Sequence, residues 1–191
     1  YKPEKGKDKR GVTGFDENKL KEISDRINTI PDEINIHKTI SKILNIRKNS
    51  VDKGFDIDWS TAEALAFGSL LEEGYPVRLV GQDSGRGTFS QRHSVLRDQN
   101  DNSRYIPLNN ISDKQKKFEV VDSFLSELAV LGFEYGYSLV EPNTLTLWEA
   151  QFGDFANGAQ VVIDQFIASG ERKWNRASGL VMLLPHAYEG Q

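Results

Sequence analysis

The chain has 191 residues, of which 38% are hydrophobic and 27% charged, and it contains no cysteine. This suits one domain, or one domain with an extra arm, and excludes a disulfide framework, a thiolate metal site and a cysteine nucleophile. The net charge of −4 is uneven, because residues 1–53 hold 13 Lys and Arg against 9 Asp and Glu. The basic part has little aromatic interleaving, so we expect a solvated surface and no nucleic-acid partner.

Three features of the sequence bear on the cellular compartment and on whether the chain is part of a longer protein. No apolar run approaches the roughly 20 residues that cross a bilayer, so we expect no membrane partner. The absence of cysteine fits a reducing compartment, the cytoplasm in a bacterium or the mitochondrial matrix in a eukaryote. The chain begins without Met and stops just past an apolar run, and we interpret it as a piece of a longer protein.

The first part of the chain is predicted to be a linker followed by two helices. Residues 1–14 are rich in Lys, Gly and Asp and show no periodicity, which is typical of a mobile arm. Apolar residues then recur at helical spacing in residues 16–30 and again up to about Lys48. We therefore assign residues 1–53 to a linker with an N-terminal helical arm, and residues 54–191 to the main domain.

The main domain alternates helices with short apolar runs. Ser60 and Glu63 have the spacing of a capping box at the start of a helix. Alternation of this kind predicts an α/β fold with a parallel sheet flanked by helices. The predicted helices cover residues 58–73, 126–137 and a stretch from Phe155 onward; the predicted strands cover residues 77–80, 118–121, 144–148 and 179–184; and residues 97–113 are expected to be exposed turns.

Ligands of open α/β sheets bind at the carboxyl ends of the strands, and four loops start there in this prediction. The loop of residues 81–93, GQDSGRGTFSQRH, lacks the spacing of a nucleotide phosphate loop, so the sequence signal for a phosphate site there is weak. The four loops bring together polar and aromatic candidates: Gln82, Asp83 and His93; Ser126 and Glu127; Gln151 and Phe152; and His186.

Glu127 is the main candidate for proton chemistry. It opens a predicted helix between Leu125 and Leu128, and partial desolvation by these neighbours favours the protonated carboxyl group. An alternative of equal weight is a first-turn acid that complements the helix dipole. Phe152 and Phe155 are spaced to hold a flat ring, although on spacing alone ordinary core packing is favoured. Each histidine taken singly is more often structural than catalytic.

Four segments resemble a known family. These are DWSTAEALAFGSLLEEGYPVRLVGQDSGRGTFSQRH, LSELAVLGFEYGYS, LWEAQFGDFANGAQVVIDQFI and GLVMLLPHAYEGQ. They look like the thiamine-diphosphate-dependent first component of 2-oxoglutarate dehydrogenase, within its transketolase-like pyrimidine-binding domain. The strong likeness runs from about Asp58 to Gln191. The resemblance implies thiamine diphosphate and magnesium as cofactors, with the diphosphate and magnesium ligands outside this chain.

The resemblance also implies roles for individual residues. Glu127 matches the glutamate that hydrogen-bonds N1′ of the aminopyrimidine. Phe152 and Phe155 match the aromatic pair near that ring, and Gln151 lies beside them. Candidates for contact with the 2-oxo acid or for proton transfer are His186 and, more weakly, His93, while Asp83 resembles acids between the two active sites of the dimer. Ala187 departs from the family pattern, in which glycine follows the histidine.

The activity implied by the resemblance is decarboxylation of 2-oxoglutarate and transfer of the succinyl group to a lipoyl carrier. Its implied partners are a second copy in a homodimer and the lipoyl-bearing second component, the dihydrolipoamide succinyltransferase. Alternatives are a 2-oxoadipate dehydrogenase first component, a 2-oxoglutarate decarboxylase, or a non-catalytic assembly module of the same fold. The chain alone is expected to be inactive.

Overall fold

The computed structural model describes residues 11 and 13–186. The expected linker of residues 1–14 and the departure at Ala187 therefore lie wholly or mostly outside the described residues. The helices are α1 (Glu17–Asn28), α2 (Lys38–Lys53), α3 (Trp59–Glu72), α4 (Glu127–Val140), α5 (Gln160–Val162) and α6 (Gly170–Trp174). The strands are β1 (Val77–Gly81), β2 (Leu96–Arg97), β3 (Arg104–Tyr105), β4 (Phe118–Asp122), β5 (Leu145–Glu149) and β6 (Val181–Leu183).

Four strands form one parallel sheet in the order β4-β1-β5-β6, which confirms the predicted fold class. Successive residues of a strand face opposite sides of the sheet, so β1 contributes side chains to two hydrophobic cores. Leu79 packs with α1 and α3 on one side, and Val80 packs with α4 on the other. Both faces of the sheet are therefore covered by helices, as a parallel sheet requires. Within the described part of the chain, no helix is long and apolar enough to cross a membrane.

Several predicted helix details were wrong. Helix α2 continues past Lys48 to Lys53 and ends at Gly54, whose φ of 66° suits glycine. Helix α3 is capped by Asp58, which accepts a hydrogen bond from the Thr61 amide at 2.7 Å, so Ser60 and Glu63 do not form the expected capping box. The inner face of α3 carries the large side chains of Phe67 and Leu71, which are buried. Two alanines of the same helix, Ala62 and Ala66, are exposed.

The stretch after β5 and the stretch before β4 also differ from prediction. The helix expected from Phe155 is a 3₁₀ segment (Gly153–Ala159), then α5, then a π-helical turn (Ile163–Ile167). Residues 97–113 are not all exposed turns, because β2 and β3 form an antiparallel pair and a 3₁₀ turn (Pro107–Asn109) follows them. Leu108 and Ile111 enter the core, and this apolar burial fixes a segment that looks polar in sequence.

Candidate functional site

The carboxyl ends of the strands meet at one edge, as predicted. Gly81 is in register with Asp122 on one side and Glu149 on the other, and Glu149 is in register with Leu183. The close fit of β1 and β5 needs Gly81, since a Cβ there would lie 2.4 Å from the Glu149 carbonyl oxygen. The loops that carry most candidate residues therefore start side by side.

Glu127 lies at the start of α4, on its inner face. Ser126 caps this helix by accepting a hydrogen bond from the Ala129 amide, and Glu127 Oε1 accepts one from the Gln151 amide at 2.9 Å. Burial raises the pKa of the Glu127 carboxyl group, and the Gln151 amide and the Trp148 side chain oppose this shift. The predicted preference for the protonated form is confirmed in direction.

The expected cause of this burial was wrong. Leu125 and Leu128 are 59% and 41% exposed, so they do not desolvate Glu127. The carboxyl group is buried because Glu127 shares the inner face of α4 with Val130 and Leu131, where it meets the end of β5. The spacing of Glu127 three and four residues before Val130 and Leu131 is a signal in the sequence that could have predicted this burial.

Two acceptor oxygens at this point have no protein donor. Glu127 Oε2 and Gln151 Oε1 are buried without a hydrogen-bond partner among residues 11 and 13–186. The Trp148 indole N–H, in β5, also makes no hydrogen bond of normal geometry within the part of the chain that the structure describes, although it acts on Glu127 strongly enough to oppose the rise in the pKa of that carboxyl group. Buried polar atoms are normally paired, so unpaired acceptors of this kind fit a ligand that donates hydrogen bonds.

Aromatic rings line the loop beside Glu127. Phe152 meets Phe155 edge to face with ring centroids 5.6 Å apart, and Phe89 in the same geometry at 5.7 Å. Phe155 is exposed and Phe152 is half-buried, so the core alternative for this pair is wrong. Phe89, which the sequence interpretation missed, comes from the loop of residues 81–93. Together the rings form an apolar wall of the kind that flat ligands contact.

His186 joins this group from the far end of the chain. Its Nε2 lies 2.1 Å from where a Cβ on Gly153 would sit, so its ring packs directly on the Gly153 backbone. The Gly153 amide donates to the Pro185 carbonyl at 2.9 Å, which fixes the two loops together. His186 also lines a cavity of about 390 Å³ with Trp59 and Phe89.

His93 and Asp83 lie elsewhere at this edge. His93 is half-buried, has a left-handed backbone (φ 51°) and lines a cavity with residues of α1 and α2, among them Arg47. Burial and the charges of Arg47 and Arg86 lower the pKa of His93. Asp83 forms an ion pair with Arg86 in its own loop. The structure therefore groups Glu127, Gln151, Phe152, Phe155 and His186, and separates His93 from them.

The sequence interpretation missed a buried ion cluster near the site, which consists of Arg92, Glu63 and Glu149. Arg92 pairs with Glu149 (Nη2 to Oε1, 2.6 Å) and with Glu63 (Nε to Oε1, 2.5 Å). Glu149 was expected to start a loop, but it is the last residue of β5 and is only 4% exposed. The sequence signal for this buried role of Glu149 is that a charged residue directly ends an apolar strand. Among the described residues, no group of three or more His, Asp or Glu could hold a metal ion.

Comparison with known proteins identifies the family. The family described as "Transketolase, pyrimidine binding domain" matches residues 55–191, well over half of the chain. The chain belongs to the transketolase pyrimidine-binding domain family. The matched segment starts after α2 and contains the sheet, Glu127 and the aromatic residues of the site.

The chain is also similar to bacterial proteins that are named 2-oxoglutarate dehydrogenase E1 component. It is 61% identical to the protein of Brucella anthropi over 183 residues, which cover 96% of this chain and 18% of that protein. Identity to the Brucella canis protein is 60% with the same coverage, and identity to the Brucella ovis protein is 60% over 95% of this chain and 18% of that protein. The chain thus spans under a fifth of the length of these relatives.

Proposed function

We propose that this chain is the pyrimidine-binding part of an enzyme that decarboxylates 2-oxoglutarate with thiamine diphosphate and passes the succinyl group to a lipoyl carrier. The observation that carries the proposal is Glu127, a buried carboxyl group with a raised pKa and an unpartnered Oε2. High identity to proteins named 2-oxoglutarate dehydrogenase E1 component supports the choice of substrate.

The residues present fit the pyrimidine end of this cofactor. An aminopyrimidine offers N–H donors and a ring nitrogen that can share a proton, which complements the unpaired oxygens of Glu127 and Gln151. Phe152, the half-buried ring between Phe89 and Phe155, offers a face for the flat ring. Thiamine diphosphate, when bound, supplies the carbon nucleophile that adds to the 2-oxo group and the electron sink for decarboxylation.

The chain's own groups then have distinct tasks. Glu127 Oε2 would share a proton with the pyrimidine ring, and burial raises the pKa of this carboxyl group, which favours that exchange. The Gln151 amide fixes the other carboxyl oxygen, so only one oxygen is free to exchange the proton. His186 stands beside Phe152 as the group that meets the 2-oxo acid, and His93 and Asp83 are secondary candidates for its surroundings.

The remaining parts of the assembly are placed outside this chain. Magnesium and the diphosphate are assigned to ligands elsewhere in the full-length protein. A homodimer is supported by apolar side chains of α4 that remain exposed, among them Leu128, which follows Glu127, and Phe133. The second partner is the lipoyl-bearing dihydrolipoamide succinyltransferase, and the relatives' bacterial source favours the cytoplasm. Residues 1–53 are proposed as an arm of the domain, since α1 packs on α3.

The test is Glu127→Gln in the full-length protein, with Glu171→Gln, an exposed glutamate of α6, as the matched control. Removal of one group that acts only in the transition state costs about 100-fold or more in turnover. We expect that loss for Glu127→Gln only, with the circular dichroism spectrum unchanged. Undiminished turnover would favour the assembly module, and a substrate profile that prefers 2-oxoadipate would replace 2-oxoglutarate in the proposal.

A further inference from the structure

The backbone of Gln151 is held on both sides of its Cα, in two successive peptide units. Its N–H donates to Glu127 Oε1 at 2.9 Å, and its carbonyl accepts a hydrogen bond from the Thr88 hydroxyl at 2.8 Å. Thr88 is 63 residues away in sequence, in the loop of residues 81–93. Because both bonds fix the backbone of the same residue, a movement of this loop would shift Gln151 and alter the N–H that it presents to Glu127.

Arg92 anchors the same loop to β5, the strand that precedes Gln151. All five guanidinium N–H groups of Arg92 are used: two bonds to Glu149, two to Glu63 and one to the Ser84 carbonyl. Glu149 ends β5 two residues before Gln151. An arginine that is 6% exposed and fully hydrogen-bonded is rigid, so the loop has a fixed base from which Thr88 reaches Gln151.

Helix α2 also holds this loop through hydrogen bonds. Arg47, a buried residue of α2, donates through Nη1 to the Arg92 carbonyl at 3.0 Å and also bonds the neighbouring Gln91 carbonyl. The loop is therefore fixed on three elements, α2, α3 and β5, although it contains no regular secondary structure after Gly81.

We propose that Thr88 and Arg92 are positioning residues, which hold the backbone of Gln151 in the conformation that presents its N–H to Glu127. This inference rests on the proposed function of Glu127. The hydroxyl of Thr88 acts directly on the peptide, and Arg92 acts through Glu149 and the loop. Without the hydroxyl, the Gln151 carbonyl loses its partner in a half-buried site, and the backbone of Gln151 gains freedom to rotate its N–H away from Glu127.

The test uses Thr88→Val in the full-length protein, since valine keeps the shape of threonine and removes only the hydroxyl. Thr88→Ser retains the hydroxyl and is the rescue variant. Thr146→Val is the matched control, because Thr146 lies on β5, is fully buried, and has a hydroxyl with no partner among the described residues. None of these changes alters charge, so each should leave the fold intact.

The first measurement is amide hydrogen exchange of the cofactor-free protein, read by mass spectrometry on peptides that cover residues 149–153. Thr88→Val is expected to speed exchange at the Gln151 amide by roughly 5-fold or more, the factor that corresponds to one hydrogen bond. The second measurement is turnover with thiamine diphosphate and magnesium, where the same variant should lose a similar factor. Thr88→Ser and Thr146→Val should match the wild type in both.

Two results would overturn the inference. Unchanged exchange at Gln151 in Thr88→Val would mean that the loop does not hold this peptide. Faster exchange with wild-type turnover, in a protein where Glu127→Gln is inactive, would mean that the peptide's orientation does not matter to Glu127. If Glu127→Gln itself turns over normally, the proposed function has failed, and the exchange data alone then decide whether Thr88 positions the peptide.

Discussion

Replacement of Arg92 by Met should be the most damaging single change in the described fold outside the apolar core. Methionine approximates the length of the arginine stem but offers no donor, so Glu149 and Glu63 would face each other with no cation between them. Their side chains are only 4% and 11% exposed, and water cannot take the place of the guanidinium. Removal of one partner from a buried ion pair costs about 3–5 kcal/mol.

The matched control is Arg86→Met in the same loop. Arg86 also pairs with a carboxylate, that of Asp83, but its side chain is 51% exposed. Exposed pairs contribute about 0.2–1 kcal/mol, so this change should be mild. The double variant Arg92→Met with Glu149→Gln should recover part of the loss, because it removes one of the stranded buried charges.

The assay is native-state hydrogen exchange of the full-length protein in low urea, which gives the free energy of opening for peptides of α3 and β5. The difference from wild type should be about 3–5 kcal/mol. A loss no larger than that of Arg86→Met would refute the reasoning, because it would mean that the cluster neither excludes water nor holds the loop.

Two further predictions follow from Glu127 and Gly153. The raised pKa of Glu127 penalises the folded state once pH exceeds the unfolded value of about 4.3. Glu127→Gln should therefore match wild-type stability near pH 4 and exceed it by a margin that grows with pH and then levels off; an equal margin at pH 4 and pH 8 would contradict this. Gly153→Ala should displace the exposed His186 ring with little loss of stability but reduced turnover, whereas full turnover with a displaced ring, seen by crystallography, would exclude His186 from the reaction.

Sequence patterns were sufficient for the sheet and for part of the site. The short apolar runs around Leu79, Val120 and Leu147 predicted three parallel strands, because strands buried on both faces are mostly apolar. Glu127 was found from its place at a helix start. The cause of the burial of Glu127 could not be found in this way, because it depends on which side of α4 packs against the end of β5.

The ion cluster and the loop contacts lay beyond sequence reasoning for a physical reason. Arg92 is 29 residues from Glu63 and 57 from Glu149, so only the packed fold makes them neighbours. Thr88 is an ordinary loop residue by local pattern, and its bond to Gln151 exists only once the sheet edge is assembled. The helix after Phe152 was predicted as regular, but its backbone passes through 3₁₀ and π turns, which hydrophobic spacing does not distinguish.

The most direct test of the central claim is a crystal structure of the full-length protein with thiamine diphosphate and magnesium. The account predicts the aminopyrimidine against Phe152, with a ring nitrogen about 2.7–2.9 Å from Glu127 Oε2 while Oε1 keeps its bond to the Gln151 amide. A cofactor bound elsewhere, or a pyrimidine with no contact to Glu127, would contradict it.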